Sequence, residues 1–151
     1  MKSLLIVYHS QSGSAASLAK AAWRGACEEE DVNTVVKRAW DACAADLVSS
    51  DALLLVAAEN SGFVSGSMKD FLDRTFYPAI EARIVQSYAL LISAGNDGRG
   101  AVRQMDRILS GIPFSPATEP LILRGEVTPE YLLSARELGQ AFSAGLAMGI
   151  Y

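Results

Sequence analysis

At 151 residues, half hydrophobic and a fifth charged, the chain is long enough for a single domain, residues 1–151, with a substantial core. A net charge of −4 without a Lys/Arg cluster leaves no footprint for nucleic acid, and no apolar run approaches the roughly 20 residues that span a bilayer. Cys27 and Cys43 form no CxxC pair and read as buried free thiols; with no leader expected before the first strand, a cytoplasmic location is expected.

The first element is Leu4 to Tyr8 (LLIVY), a branched run without polar alternation, as in a strand covered on both faces of a parallel sheet. A loop of small hydroxyl residues follows, His9-Ser10-Gln11-Ser12-Gly13-Ser14, and then a helix from Ala15 to about Glu30. The unpaired N–H groups at that helix start, with the loop hydroxyls, form a nest for an anion. The first full positive charge, Lys20, stands about two turns in, so dipoles rather than salt bridges are expected to neutralise the anion. His9, the one histidine, has no obvious acid partner and reads as structural.

Leu18, Ala22 and Ala26 share one face of the first helix, and Trp23 lies beside it. Val32 to Lys37 reads as a peripheral strand and Ala42 to Val48 as a short helix capped by Asp41, with Trp40 before it as a packing residue. Ala52 to Ala58 (ALLLVAA) is the most apolar run and reads as a central strand. After it comes a loop rich in Gly, Ser and Asn, Glu59 to Gly66, and a helix from Ser67 to Phe76. Met68, Phe71, Leu72 and Thr75 form its inner face; Lys69, Asp73 and Arg74 form a surface charge set; Tyr77-Pro78 should break it. Tyr88 to Ser93 is a fourth strand, followed by Ala94-Gly95-Asn96-Asp97-Gly98-Arg99-Gly100 and a helix, Ala101 to Leu109, stopped by Gly111. Pro120 to Leu123 is a short last strand, and Thr128-Pro129 opens a final helix whose Tyr131, Ala135, Leu138, Phe142 and Leu146 keep helical period.

Five buried strands alternating with five helices give an α/β fold with an open, doubly wound parallel sheet. Ligands in such sheets sit beyond the carboxyl ends of the strands, at the switch point of the winding. The three unusual loops follow the first, third and fourth strands, which are neighbours in the order 2-1-3-4-5, so all three loops would line one crevice. Several chemistries are excluded by the strings themselves. There is no GxxxxGK[ST] P-loop, no GxGxxG after the first strand, no acidic cluster of a phospho-receiver and no GxSxG elbow.

Tyr8-His9-Ser10-Gln11-Ser12-Gly13-Ser14 resembles the flavodoxin phosphate loop, a tyrosine followed by [ST]-x-[ST]-G-[NS]-[TS]. Residues 59–74, ENSGFVSGSMKDFLDR, are similar to the segment of NAD(P)H-dependent FMN reductases and their flavodoxin-like relatives that lies against flavin. The resemblance implies a flavodoxin-like three-layer sandwich with a five-stranded parallel sheet in the order 2-1-3-4-5. It implies that Ser10, Gln11, Ser12, Gly13, Ser14 and Ala15 hold the FMN phosphate, the N–H groups of Gly13 to Ala15 included. Glu59, Asn60, Ser61, Gly62 and Phe63, with Gly95, Asn96, Asp97 and Gly98, would meet the ring and ribityl chain. Ala15 stands where a threonine is common, and Ala58 where a proline enters the second loop. The activity implied is an NAD(P)H-dependent FMN or quinone reductase passing hydride through flavin N5 to a small-molecule or protein acceptor. A flavodoxin-type electron carrier and a flavin-free binding module are the alternatives. No acid–base residue stands out, and Phe76-Tyr77-Pro78 is a corner that could serve a homo-oligomer.

Overall fold

Residues 1–151 are described by a computed structural model. Its centre is a parallel sheet built on β1 (Lys2–Tyr8), β2 (Val32–Arg38), β3 (Ala52–Asn60), β5 (Ser87–Ala94) and the short β6 (Ser115–Pro116), with neighbours in the path β2-β1-β3-β5-β6. The register pairs Leu4 to Tyr8 with Ala52 to Val56, and Ala52 to Ala58 with Ser87 to Ser93. Alternate side chains explain why Leu4 to Val7, Ala52 to Ala58 and Ala89 to Ile92 are apolar without a break. Leu5, Val7, Leu53, Leu55, Leu90 and Ile92 face one core, while Leu4, Ile6, Leu54, Val56 and Leu91 face a second on the other side.

The first core is covered by α2 (Ala44–Val48), α3 (Gly66–Glu81) and α4 (Arg99–Gly111), through side chains such as Leu47, Phe71 and Met105. The second is covered by α1 (Ser14–Ala26) and α5 (Pro129–Ala147), through Leu18, Ala22, Ala135, Phe142 and Leu146. These two helices approach at van der Waals distance of backbone: a Cβ on Gly139 would lie 1.9 Å from the Ala22 carbonyl oxygen, and one on Gly25 1.9 Å from that of Arg136. As expected, Thr128 caps α5, its hydroxyl accepting from Tyr131 N–H at 3.1 Å, with Pro129 in the first turn.

The sheet has seven strands rather than five. β4 (Phe63–Val64) folds back antiparallel on the end of β3, and the expected last strand is split into β6 (Ser115–Pro116) and β7 (Leu121–Arg124), both on the open edge of β5. From Tyr88 to Leu91 β5 advances three residues, whereas its partner runs from Pro116 to Leu121, so the edge strand bulges out between them. Pro116 and Pro120 suit that break, because neither can donate to a ladder.

Several local expectations are corrected. α1 ends at Ala26 rather than near Glu30, which places Cys27 at its C-cap; Cys27 and Cys43 are both exposed free thiols. Cys43, not Asp41, is the N-cap of α2: its N–H donates to Asp46 Oδ2 at 2.9 Å, while Asp41 accepts from Arg38 Nε at 2.8 Å. Trp40 is 72% exposed rather than packed, whereas Trp23 is half-buried against the second core. Pro78 does not break α3, which continues to Glu81. A proline inside a helix costs about 3 kcal/mol, and beyond it α3 still buries Ala79. Tyr77 is therefore an exposed mid-helix residue and not a corner. Lys69 with Asp73 and Arg74 with Asp70 form the expected surface pairs, and Arg74 also donates to the Ala39 and Ala42 carbonyls. No helix is long and apolar enough to cross a membrane.

Candidate functional site

The winding reverses between β1 and β3, and the loops after these strands face each other there. His9 N–H donates to the Val56 carbonyl at 3.1 Å, so the first loop leaves the sheet still tied to β3. Gly13 then takes φ +101°, a left-handed conformation that favours glycine, and starts α1 without any side-chain cap. This turn closes partly on itself. Gly13 N–H donates to Ser10 Oγ at 3.1 Å, so it is not a free donor as expected, and Ser17 N–H and Oγ–H both donate to the Gly13 carbonyl at 3.0 Å. The N–H groups of Ser14, Ala15 and Ala16 come too early in the helix for an intrahelical acceptor and remain available for an anion.

Ser14 and Ala15 border a cavity of about 160 Å³. Ser10, Gln11, Ser12, Ser14, Ala15 and Asn60 line it, together with His9, Ala58, Ser65 and Ser93. Asn60 Nδ2 donates to Gln11 Oε1 at 3.1 Å, joining the first loop to the second. The volume is below the roughly 300–1,000 Å³ of a pocket enclosing a whole small molecule, so it suits a compact anionic group with the rest of a ligand outside. Its wall contains two unpartnered polar atoms, His9 Nδ1 and Ser65 Oγ, and Ser65 is only 1% exposed. Both atoms lack accessible surface, as do the unpartnered Thr34 Oγ1, Gln86 Oε1 and Ser143 Oγ elsewhere in the chain. Larger grooves of about 490 and 370 Å³ flank the outer sides of α1 without such atoms, and one of about 500 Å³ at the amino ends of the strands is lined by Gln86, whose Oε1 is also unpartnered.

The second loop is a tight hairpin. Asn60 and Phe63 pair across Ser61 and Gly62, whose φ values of +52° and +83° are those of a primed turn matching the strand twist. Phe63 projects from its end, 62% exposed. Glu59, expected as a ligand contact, turns toward the third loop: its two carboxylate oxygens accept from Gly98 N–H and Ala101 N–H, each at 3.0 Å. It thereby caps α4, an acidic group at a helix N-terminus. Val64 N–H donates to Gln104 Oε1 at 2.8 Å, so α4 is fastened to both ends of the hairpin.

Gly95 and Asn96 are exposed beyond β5 and do not line the cavity. Gly98 is buried as the α4 N-cap, with φ +98°. Asp97 is held by Arg99: the side-chain hydrogen bond from the guanidinium at 2.7 Å keeps its carboxyl below the usual carboxylate range, and Arg124 Nε donates to its carbonyl. The structure thus gathers the first loop and Asn60 around the cavity and leaves Ser61, Gly62, Phe63, Gly95 and Asn96 as an outer rim. Sequence reasoning missed Ser65 and Ser93, and it placed His9 in a structural role. Ser93 is the last hydroxyl of a strand at the correct sheet edge, a signal that was readable; Ser65 was hidden among other small residues.

Residues 12–119, more than half of the chain, match the sequence family described as NADPH-dependent FMN reductase. Among solved structures, the fold superposes on a flavodoxin from the domain Archaea with a TM-score of 0.83 at 19% identity, covering 95% of this chain and 98% of that one. A WrbA-like flavodoxin from Agrobacterium tumefaciens gives 0.78 at 16% identity, covering 99% of each chain. Oxidised flavodoxin 1 from Bacillus cereus gives 0.79 at 19% identity, over 95% of this chain and 98% of that one. These likenesses establish a flavodoxin-like α/β fold. A search of curated protein sequences finds no match.

Proposed function

We propose, from the premise that this chain belongs to the NADPH-dependent FMN reductase family, that it is an oxidoreductase using FMN to carry reducing equivalents from NAD(P)H to a small flavin or quinone acceptor. FMN, when bound, supplies the two-electron chemistry, and the protein supplies position and electrostatics. The residues present fit that cofactor. The free N–H groups of Ser14 and Ala15 and the hydroxyls of Ser10, Ser12 and Ser14 suit a phosphate. The Ser61-Gly62 turn with Gly95 and Asn96 would be the rim on which the ring rests.

One observation favours a reductase over an electron carrier. Phe63 is the only aromatic residue in the two rim loops, and residues 94–100 contain none, so one ring face has no aromatic cover. An electron carrier shields its ring; a reductase needs a face on which nicotinamide can stack in near-attack geometry. The modest net charge of −4 also lacks the strong field that steers carriers to charged partners. The test is anaerobic addition of NADPH or NADH to the FMN-loaded protein. Rapid bleaching of the flavin absorbance in one two-electron step is expected. No response to either nucleotide, with a stable one-electron-reduced flavin on photoreduction, would assign the protein to electron carriage instead.

A further inference from the structure

A groove of about 490 Å³ lies across α1 from the anion cavity, along the free edge of the sheet. Tyr8 ends β1, Val36 and Arg38 belong to the last part of β2, and Lys20 and Trp23 reach the groove from α1. Its volume falls within the roughly 300–1,000 Å³ that accommodates a small molecule. Tyr8 and Trp23 are half-buried against the second core, so aromatic surface is held in place while part of it stays open. β2 has a neighbour on one side only, because the path of the sheet ends with it. Ala39 N–H donates to the Tyr8 carbonyl at 2.7 Å, and backbone groups alternate in direction along a strand. The main-chain groups of Lys37 therefore face β1. The Val36 carbonyl and the Arg38 N–H point out of the open edge, an acceptor beside a donor without strand partners.

The charges around the groove suit an anion. The ion pairs of the chain involve neither Lys20 nor Arg24, which follows it by one turn, and like charges at that spacing repel. Arg38 holds Asp41 at 2.8 Å, which compensates the one acid in the wall. The Lys37 ammonium is spent on Asp46 of α2, on the other face of the sheet, at 2.7 Å. Lys20 is thus an uncompensated positive charge in a groove of a chain whose net charge is −4.

We propose that this groove binds an adenosine phosphate. The purine lies against Trp23 and Tyr8, its amine donates to the Val36 carbonyl, a ring nitrogen accepts from the Arg38 N–H, and the phosphate meets Lys20. Adenine presents the matching edge, an amine donor beside a ring-nitrogen acceptor. Two sources carry this chemistry: a free adenine nucleotide, and the adenosine end of the nicotinamide dinucleotide proposed as reductant. The second is within reach, since β2 and β5 are three strand spacings apart, roughly 14 Å, which an extended dinucleotide covers. Binding rests on the groove alone; only the dinucleotide source rests on the reductase reading.

Trp23 reports occupancy once the other tryptophan, the exposed Trp40, is removed by Trp40→Phe. Adenosine 2′-phosphate should quench Trp23 fluorescence to saturation. In that background Lys20→Glu should raise its Kd about tenfold through loss of a charge-assisted contact. Lys2→Glu makes the same change of charge at the opposite end of the strands and should leave the Kd unaltered. Absence of saturable quenching, or equal losses in the two variants, overturns the proposal. Ser12→Asp alters the cavity and not the groove, so nucleotide binding that fails in it belongs to the cavity and overturns the proposal too. With FMN loaded, inhibition of NADPH-driven bleaching by adenosine 2′-phosphate, lost in Lys20→Glu, identifies the dinucleotide as occupant. Saturable binding without such inhibition keeps the groove and assigns it to a free nucleotide. Saturable binding with no bleaching by NADPH at all also keeps the groove, and removes the reductase reading instead.

Discussion

Gly139→Ala tests whether α1, whose Ser14 and Ala15 line the cavity, is positioned by its contact with α5. Helix propensity alone predicts stabilisation by about 1 kcal/mol, because alanine is the better helix former. The structure predicts the opposite. The new Cβ would lie 1.9 Å from the Ala22 carbonyl oxygen and 2.7 Å from its carbon, both backbone atoms of a buried helix that cannot rotate aside. Relief requires the two helices to part by more than an ångström, loosening Leu18, Ala135 and Phe142, which are fully buried in that core. Overpacking of this kind costs about 1–3 kcal/mol, and more where backbone is the obstacle. Against the propensity gain, a net loss of about 2 kcal/mol is expected. For a chain of this length that is a fall in Tm of roughly 4–8 °C. Urea denaturation followed by circular dichroism reads the free energy directly, and a parallel FMN titration should show weaker binding, because Ser14 and Ala15 move with α1. A variant as stable as the wild type or more so would refute the close-contact argument.

Ser12→Asp sets a carboxylate in the cavity wall and is expected to abolish FMN binding while leaving riboflavin contacts with the rim intact; unchanged FMN affinity in a fluorescence titration would show that the phosphate lies elsewhere. Glu59→Ala removes both acceptors at the start of α4, and its loss of charge-assisted bonds and capping should cost about 2 kcal/mol, measured by urea denaturation. The same variant should loosen the two rim loops and raise the FMN Kd; an unaltered midpoint would mean that the cap is unimportant. Acid stability should depend on Asp46. Burial opposes its ionisation, but hydrogen bonds from the Lys37 ammonium and Cys43 hold its carboxyl below the ordinary 3.8. Because the folded value is the lower one, its stabilisation is full above the ordinary value and is lost as pH falls through the folded value. Asp46→Asn should therefore flatten the wild type's loss of stability below about pH 4, seen as a smaller change in Tm with pH.

Sequence alone determined the layered α/β class, because runs such as Leu4 to Val7 and Ala52 to Ala57 are apolar on both faces and only a sheet covered twice accepts them. It also singled out the hydroxyl loop that lines the cavity, since small hydroxyls and one glycine between a strand and a helix are local features readable within a few residues. What needed the tertiary structure was every property set by contacts distant along the chain. Glu59 became a cap because α4 begins 3.0 Å from its carboxylate, Gly139 became indispensable because Ala22 lies against it, and His9 became part of a cavity because Ala58, Asn60, Ser65 and Ser93 line it as well. Local propensity cannot register such partners: the free energy of a buried polar atom or a backbone contact belongs to the pair, and the pair exists only after the chain has folded.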